Sequence, residues 1–226
     1  MQTRLTTNPK CKRSVGAYNK SNETEQWIRL SEGCPNNCPY CYEPTEERVF
    51  EIPGIIKNNV KIMDMNLLSK PNAERIIREL SEKRAQGKKV KYELICGIDY
   101  RFLTQEKSDL LKKSRFVNIR LAWDWFYKDQ FKINDAIKML EKSGYKRKEI
   151  MVFMLCNWKI KYDECCDKLD LLKIWGVQVA DCYYDNQTFP NVVPIFWKDE
   201  ELKNFRHKCR KHNQLINFEI DPELKN

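Results

Sequence analysis

Histidine is almost absent from this chain, which has two histidines, His207 and His212, in 226 residues. A histidine-based triad or metal site is therefore disfavoured. Long apolar runs are also missing, and no stretch could cross a bilayer. The N-terminal segment MQTRLTTNPKCKRSVG lacks the apolar core of a secretory signal. These absences predict a cytoplasmic protein without a membrane partner.

Cysteine and positive charge are abundant instead. Ten cysteines in a chain without a visible export signal indicate metal ligands or reactive thiols, because a reducing compartment disfavours disulfides. The net charge of +9 suits a polyanion such as nucleic acid. A composition rich in solvated lysine and asparagine explains the same charge without any partner, and both interpretations stay open.

Short apolar segments alternate with helical segments along the chain. The predicted strands are 27–30, 60–65, 90–96, 116–123, 150–155 and 177–183, and the predicted helices are 69–86, 104–114, 135–143, 162–175 and 199–212. Alternating β and α elements build a parallel sheet with helices outside. Six units are too few for a closed eight-unit barrel. The sequence therefore predicts an α/β fold, a partial (β/α)₆ barrel with an open parallel sheet and outer helices.

The length fits one domain better than two. Residues 1–25 are predicted to be a basic N-terminal arm, 26–185 the core, and 186–226 a C-terminal helical tail packed on the core. Active sites of such sheets lie at the carboxyl ends of the strands. Residues that directly follow a predicted strand are therefore the candidates for function.

A cysteine loop follows the first predicted strand, with the sequence Cys34-Pro-Asn-Asn-Cys38-Pro-Tyr40-Cys41. Its three thiolates would leave one iron of a cubane cluster without a protein ligand. An open coordination position is typical of a catalytic metal site. A small molecule can chelate that iron through amino and carboxylate groups.

This loop resembles the signature of the radical S-adenosylmethionine (SAM) superfamily, in which the residue before the last cysteine is usually aromatic, as Tyr40 is here. The resemblance implies a [4Fe–4S] cluster on Cys34, Cys38 and Cys41, with SAM at the open iron. It also implies an external one-electron donor of the flavodoxin or ferredoxin type. Reduction would cleave SAM to a 5′-deoxyadenosyl radical that abstracts hydrogen from a substrate. The core is similar to the cobalamin-type subgroup, but without a cobalamin domain.

Polar residues after the next strands are candidates for binding SAM. Many superfamily members carry Gly-Gly-Glu after the second strand, whereas this chain has Asp64 and Asn66, either of which offers an acceptor for an ammonium. Arg101 could clamp a carboxylate, and Asp124 could accept a ribose hydroxyl. Each position also has a plain structural explanation, as a polar turn, an ion pair within a loop, or a helix cap.

A zinc-stabilised nucleic-acid-binding module without catalysis is the alternative function. Cys38 and Cys41 form one C-x-x-C pair, but zinc modules need a second pair or histidines, and neither is evident. The other strand-end cysteines, Cys96, Cys156 and Cys182, are expected to be small buried hydrophobes. Iron or zinc content separates the two functions.

The substrate is predicted to be anionic, with a nucleotide or nucleic acid as the leading candidate. Basic residues cluster at 10–13 and at 206–212, and an open barrel admits a bulky ligand. A peptide or small molecule is the second possibility.

Overall fold

The computed structural model describes residues 14–38, 40–124, 126–156, 159–183 and 197–218. Its strands are β1 (Tyr18–Ser21), β2 (Glu25–Arg29), β3 (Ser31–Glu32), β4 (Arg48–Val49), β5 (Asn59–Ile62), β6 (Arg84–Ala85), β7 (Lys88–Lys89), β8 (Lys91–Leu94), β9 (Ile98–Asp99), β10 (Ile119–Ala122), β11 (Ile150–Cys156) and β12 (Gln178–Tyr183). Its helices are α1 (Ala73–Glu82), α2 (Gln105–Lys113), α3 (Gln130–Lys142), α4 (Tyr162–Trp175) and α5 (Asp199–Phe218). Within these ranges, every helix is too short or too polar to span a membrane.

The parallel strands follow one another in two four-stranded sheets, β2, β5 and β8 in one and β9, β10, β11 and β12 in the other, and β1 is the antiparallel edge of the first. A bridge between Tyr92 and Phe116 joins β8 to β10, and the Val117 amide donates to the Tyr92 carbonyl at 2.9 Å. Helices α1 to α5 follow β5, β8, β10, β11 and β12 in turn. The predicted partial-barrel fold is confirmed.

The connection between β2 and β5 departs from the β/α pattern. The described part of this connection, which lacks only Pro39, contains no helix. It contains the cysteine loop and the antiparallel pair of β3 and β4. In the first unit of the barrel, the loop that carries the cysteines therefore takes the place of a helix.

The two faces of the sheet differ in chemistry. Ile28, Ile62 and Leu121 are fully buried and belong to the core shared with the helices. Since successive strand residues point to opposite faces, Lys61 and Arg120 lie on the opposite, concave face. The structure thus separates an apolar outer core from a polar concave surface.

Helix α1 is shorter than the sequence predicted. It ends at Glu82 instead of continuing to residue 86, and the chain turns back in the β6–β7 hairpin. Gln86 and Gly87, the two turn residues, have φ of 51° and 73°, as a two-residue type I′ hairpin requires. The predicted stop, Gly87, therefore serves a hairpin turn and not the end of the helix.

Part of the predicted basic arm is built into the fold. Strand β1 pairs antiparallel with β2. The Glu32 carboxylate accepts hydrogen bonds from the Ser14 hydroxyl at 2.6 Å and from the amides of Val15 and Gly16 at 3.1 and 3.0 Å. Residues 14–25 are thus held against the strand that leads into the cysteine loop. The basic cluster at 10–13 lies outside the described residues.

Helix α5 covers the sheet beside β12. His212 Nε2 lies 2.7 Å from the Val177 carbonyl, and the Asn213 amide group bonds both the amide and the carbonyl of Val179, at 2.8 and 2.7 Å. These bonds occupy backbone groups at the end of the sheet order, where an open edge invites pairing with another chain. The helix continues to Phe218, beyond the predicted end at 212.

Candidate active site

Gly33 fixes the entry into the cysteine loop. Its amide donates to Glu43 Oε1 at 2.7 Å, and its carbonyl accepts from the buried Lys70 ammonium. The backbone has φ of +89°, and a Cβ atom built there would lie 2.2 Å from the Glu46 carbonyl oxygen. Only glycine fits this position, because a side chain would collide with backbone.

The three cysteines of the motif line one cavity at the carboxyl ends of the strands. Cys34, Cys38 and Cys41 are each partly buried there. The cavity measures about 110 Å³. The Cys34 amide donates to the Pro44 carbonyl at 2.9 Å, which closes the loop around the three thiols. The site therefore stands on the face where the fold places catalytic residues.

Neighbouring groups already donate hydrogen bonds to thiols of the loop. Asn66 Nδ2 donates to Cys34 Sγ at 3.4 Å, and the Glu43 amide donates to Cys41 Sγ at 3.4 Å. Burial raises the pKa of Cys38, so a nearby cation is needed to hold that thiol as a thiolate at neutral pH. The donor set fits a metal cluster that binds thiolates.

Among the described residues, no three cysteine, histidine, aspartate or glutamate side chains are grouped closely enough to hold one metal ion as they stand. A cubane cluster does not need that close approach, because its irons and sulfides lie between the thiolates. The three thiols around one cavity are therefore compatible with a [4Fe–4S] cluster, which would supply a single electron to a ligand at its open iron.

Tyr40 joins the cysteine loop to the end of β10. Its hydroxyl donates to Asp124 Oδ2 at 2.9 Å, and both residues line the cavity. Burial raises the pKa of Asp124 to about 6 and raises the pKa of Tyr40 as well. The sequence singled out both residues, and the structure brings them into contact.

Arg101 lies at the rim of the same cavity and is half exposed. Its Nε and Nη2 donate to the two carboxylate oxygens of Asp99, each at 2.8 Å. Asn36 Nδ2, from the cysteine loop, donates to the same carboxylate at 2.5 Å. Asp99 thus connects Arg101 to the cysteine loop. The sequence did not reveal the contact between Asn36 and Asp99.

Asn66 is the buried polar residue of the cavity wall whose bonding is incomplete. It is 4% exposed, and its Oδ1 atom is buried without a hydrogen-bond partner. Leaving such an acceptor unpaired costs about 1 to 3 kcal/mol. A ligand that donates a hydrogen bond beside Cys34 would remove this cost.

Asp64 does not take the place that the sequence suggested for it. It is fully buried, and its carboxylate accepts from the Leu30 amide at 2.8 Å and the Ser31 hydroxyl at 2.5 Å. The residues that line the cavity include Asn66 but not Asp64. The chain has left β5 at Ile62, so strand alternation no longer sets the direction of these side chains. Asn66 faces the cavity, and Asp64 braces the exit of β2 instead.

Sequence reasoning missed the side chains that support the loop, Glu43 and Lys70. Neither belongs to the cysteine motif, and a lone glutamate or lysine gives no signal of burial. Of the strand-end cysteines, Cys96 lines the cavity, where burial raises its pKa to about 11. Cys156 is fully buried, as expected for a small hydrophobe.

No protein-family model matches the sequence, and no curated protein matches it. Solved structures do match the fold. The radical SAM methyltransferase TsrM from Kitasatospora setae, solved with cobalamin and a [4Fe–4S] cluster, has a TM-score of 0.56 at 13% identity over 70% of this chain and 36% of that chain. The [FeFe]-hydrogenase maturase HydG has a TM-score of 0.53 at 13% identity over 83% of this chain and 49% of that one.

Escherichia coli coproporphyrinogen III oxidase, HemN, described as a radical SAM enzyme, has a TM-score of 0.50 at 10% identity over 71% of this chain and 41% of that chain. The fold of this chain is therefore the partial barrel of radical SAM enzymes. The chain spans less than half the length of each of these three structures.

Proposed function

We propose that this chain is a radical SAM enzyme whose [4Fe–4S] cluster is held by Cys34, Cys38 and Cys41. The observation that carries the proposal is the position of the three thiols around one cavity, on the loop after the first barrel strand. When bound and reduced, the cluster would pass one electron to SAM and release a 5′-deoxyadenosyl radical that takes hydrogen from a substrate.

The cavity wall offers partners for three polar groups of SAM. The unpaired Asn66 Oδ1 beside Cys34 accepts from the amino group. Arg101 binds the carboxylate through Nη1, because Asp99 occupies its other two nitrogens. Asp124, oriented by Tyr40, accepts from a ribose hydroxyl.

Two partners complete the proposal. An external one-electron donor of the flavodoxin or ferredoxin type supplies the electron. The substrate is anionic, and a nucleotide or nucleic acid suits the net charge of +9. The exposed residues Lys208, Arg210 and Lys211 on α5 agree with an anionic partner.

The alternative, a zinc-stabilised nucleic-acid-binding module, shares the cysteines and the charge. It gives no reason for the unpaired acceptor at Asn66 or for the position of the cysteine loop at the functional end of a radical SAM barrel.

Anaerobic reconstitution with iron and sulfide, followed by dithionite and SAM, tests the proposed function. Chromatography should show 5′-deoxyadenosine formed in proportion to enzyme, and none without dithionite. A protein that retains zinc through reconstitution and forms no 5′-deoxyadenosine would favour the alternative.

A further inference from the structure

The end of the barrel opposite the cysteine loop carries a dense set of basic side chains. They come from three segments that lead into strands: the β6–β7 hairpin with the start of β8, the end of α2, and the turn before β11. Six of the exposed members are Lys88, Lys89, Lys91, Lys113, Arg115 and Lys146. We call this set the basic end.

The backbone brings the three segments side by side. The Tyr92 amide donates to the Arg115 carbonyl at 3.1 Å, which places the start of β8 beside the end of α2. Lys112 Nζ lies 3.8 Å from Glu149 Oε2, which links α2 to the turn before β11. A polar cavity of about 460 Å³, lined in part by Lys61, Lys91 and Lys112, opens between them.

Negative charge at this end is concentrated in the cavity, which Glu25 and Glu93 line beside Lys61. Residues 84–91, 112–118 and 146–149 contain one carboxylate, Glu149, which already faces Lys112. Within the described part of the chain, these six exposed members of the basic end form no ion pair with any carboxylate, whereas Arg75 and Arg78 on α1 each lie near a glutamate one turn away. Among the described residues, these exposed cations of the basic end are thus not paired with carboxylates, unlike Arg75 and Arg78 on α1.

Helix dipoles explain the position of only some of these basic residues. Lys112 and Lys113 lie in the last turn of α2, where a cation is stabilised by the carboxyl end of a helix. Lys88 and Lys89 lie on a hairpin and Lys91 on a strand, so the dipole argument does not apply to them. Their position calls for another reason.

The surface suits a phosphate backbone better than a protein. The exposed large hydrophobic residues of the described chain all lie outside the three segments, yet the centre of a protein interface is typically apolar and aromatic. Lysine and arginine spread over a polar surface is the pattern that binds nucleic acid without reading its bases.

We propose that the basic end binds the phosphate backbone of a nucleic acid, an inference that rests on the nucleic-acid partner of the proposed function. Five residues of extended chain separate Lys91 from Cys96 at the cavity, or about 16 Å at 3.3 Å per residue. A backbone held at the basic end is therefore anchored away from the reacting atoms, and the reactive part of the ligand reaches the cavity along the open side of the barrel.

Fluorescence anisotropy of the full chain with a labelled 20-nucleotide RNA and a 20-base-pair DNA, at low and moderate salt, tests this proposal. The K88E/K89E/R115E variant should bind at least tenfold more weakly than the unsubstituted protein. For duplex DNA, the slope of log K against log salt concentration should become about three units less steep, since each lost phosphate contact removes roughly 0.9. The control, R75E/R78E/K132E, carries the same charge change on the outer helices and should lose less than threefold.

Two results would overturn the proposal. One is equal loss of binding in both triple variants, which would make the effect one of net charge alone. The other is loss of binding only in a third variant, K203E/R210E/K211E on α5. Formation of 5′-deoxyadenosine should persist in K88E/K89E/R115E, so failure here is distinguishable from failure of the proposed enzyme activity.

Discussion

Gly33 is held at both of its backbone groups by charged side chains that are themselves buried, Glu43 and Lys70. A buried charge is tolerated only where it is paired and bonded. Because these side chains contact backbone atoms of the loop, they fix the direction in which the chain enters Cys34. The loop is thus pre-organised by its surroundings before any cluster binds.

Replacing Cys34, Cys38 or Cys41 by alanine should reduce bound iron well below that of the unsubstituted protein and abolish 5′-deoxyadenosine formation. The reason is the loss of a thiolate ligand, since all three side chains line the cavity. Iron analysis and chromatography measure the two effects. Cys166→Ala, on α4 away from the cavity, should behave like the unsubstituted protein. Full iron in any of the three loop variants would exclude that cysteine as a ligand.

Asn66→Ala should weaken SAM binding about tenfold or more, because a hydrogen bond to a charged group contributes about 1.5 to 3 kcal/mol. Asp64→Asn should leave SAM affinity unchanged, since Asp64 bonds Leu30 and Ser31 instead of lining the cavity. Equilibrium dialysis with labelled SAM compares the two. The opposite ranking would return the role of ammonium acceptor to Asp64.

Asp64 should also give the stability of the apoprotein a pH dependence. Burial raises its pKa from 3.8 to about 6, so the folded state takes up the proton before the unfolded state does. This group therefore favours folding most below about pH 4 and loses that contribution, about 3 kcal/mol, as the pH rises through about 6. Urea unfolding at several pH values should show a flatter profile for Asp64→Asn. Parallel profiles would contradict the assignment.

At the scale of elements, the Gly33 turn is the part of the loop least able to change. Gly33→Ala should destabilise the protein by more than about 2 kcal/mol, because it adds a left-handed backbone penalty to a collision with the Glu46 carbonyl. Gly54→Ala is the matched control, since a Cβ there meets no atom within 4 Å. Thermal and urea unfolding compare the two. Equal stability would mean that the loop can rearrange around a side chain.

The parallel strands could be predicted from the sequence because each is a short apolar segment and all but the first are followed by a helix. Strand β1 could not, since Tyr18–Ser21 is short and mostly exposed and is held by pairing with β2. The predicted end of α1 at residue 86 was wrong, because a glycine such as Gly87 can either end a helix or form a hairpin turn. Local patterns identify helices and strands, but pairing between strands decides where some of these elements begin and end.

The same limit applies to the candidate site. The cysteine motif identified the loop and Tyr40, and the rule that sites lie at strand ends predicted Asn66, Arg101 and Asp124. All four residues line one cavity. That rule could not separate Asn66 from Asp64, because the choice depends on which face each side chain meets. The charged supports of Gly33 depend on contacts between distant segments, which a single sequence does not display.

At the scale of the whole molecule, the two ends of the barrel differ in chemistry. One end collects three thiols, an unpaired acceptor and an arginine around a cavity. The other end collects exposed lysines and Arg115 around a cavity that Glu25, Glu93 and Glu149 also line. This polarity follows from the parallel topology, because every strand starts at one end and finishes at the other.

Electron paramagnetic resonance of the anaerobically reconstituted, dithionite-reduced protein, recorded before and after addition of SAM, tests the central claim most directly. Three cysteine ligands leave one iron open, so the protein should contain about four irons per chain and its reduced-cluster spectrum should change when SAM binds that iron. A colourless protein with one zinc per chain, or an iron–sulfur spectrum that SAM leaves unchanged, would contradict the claim.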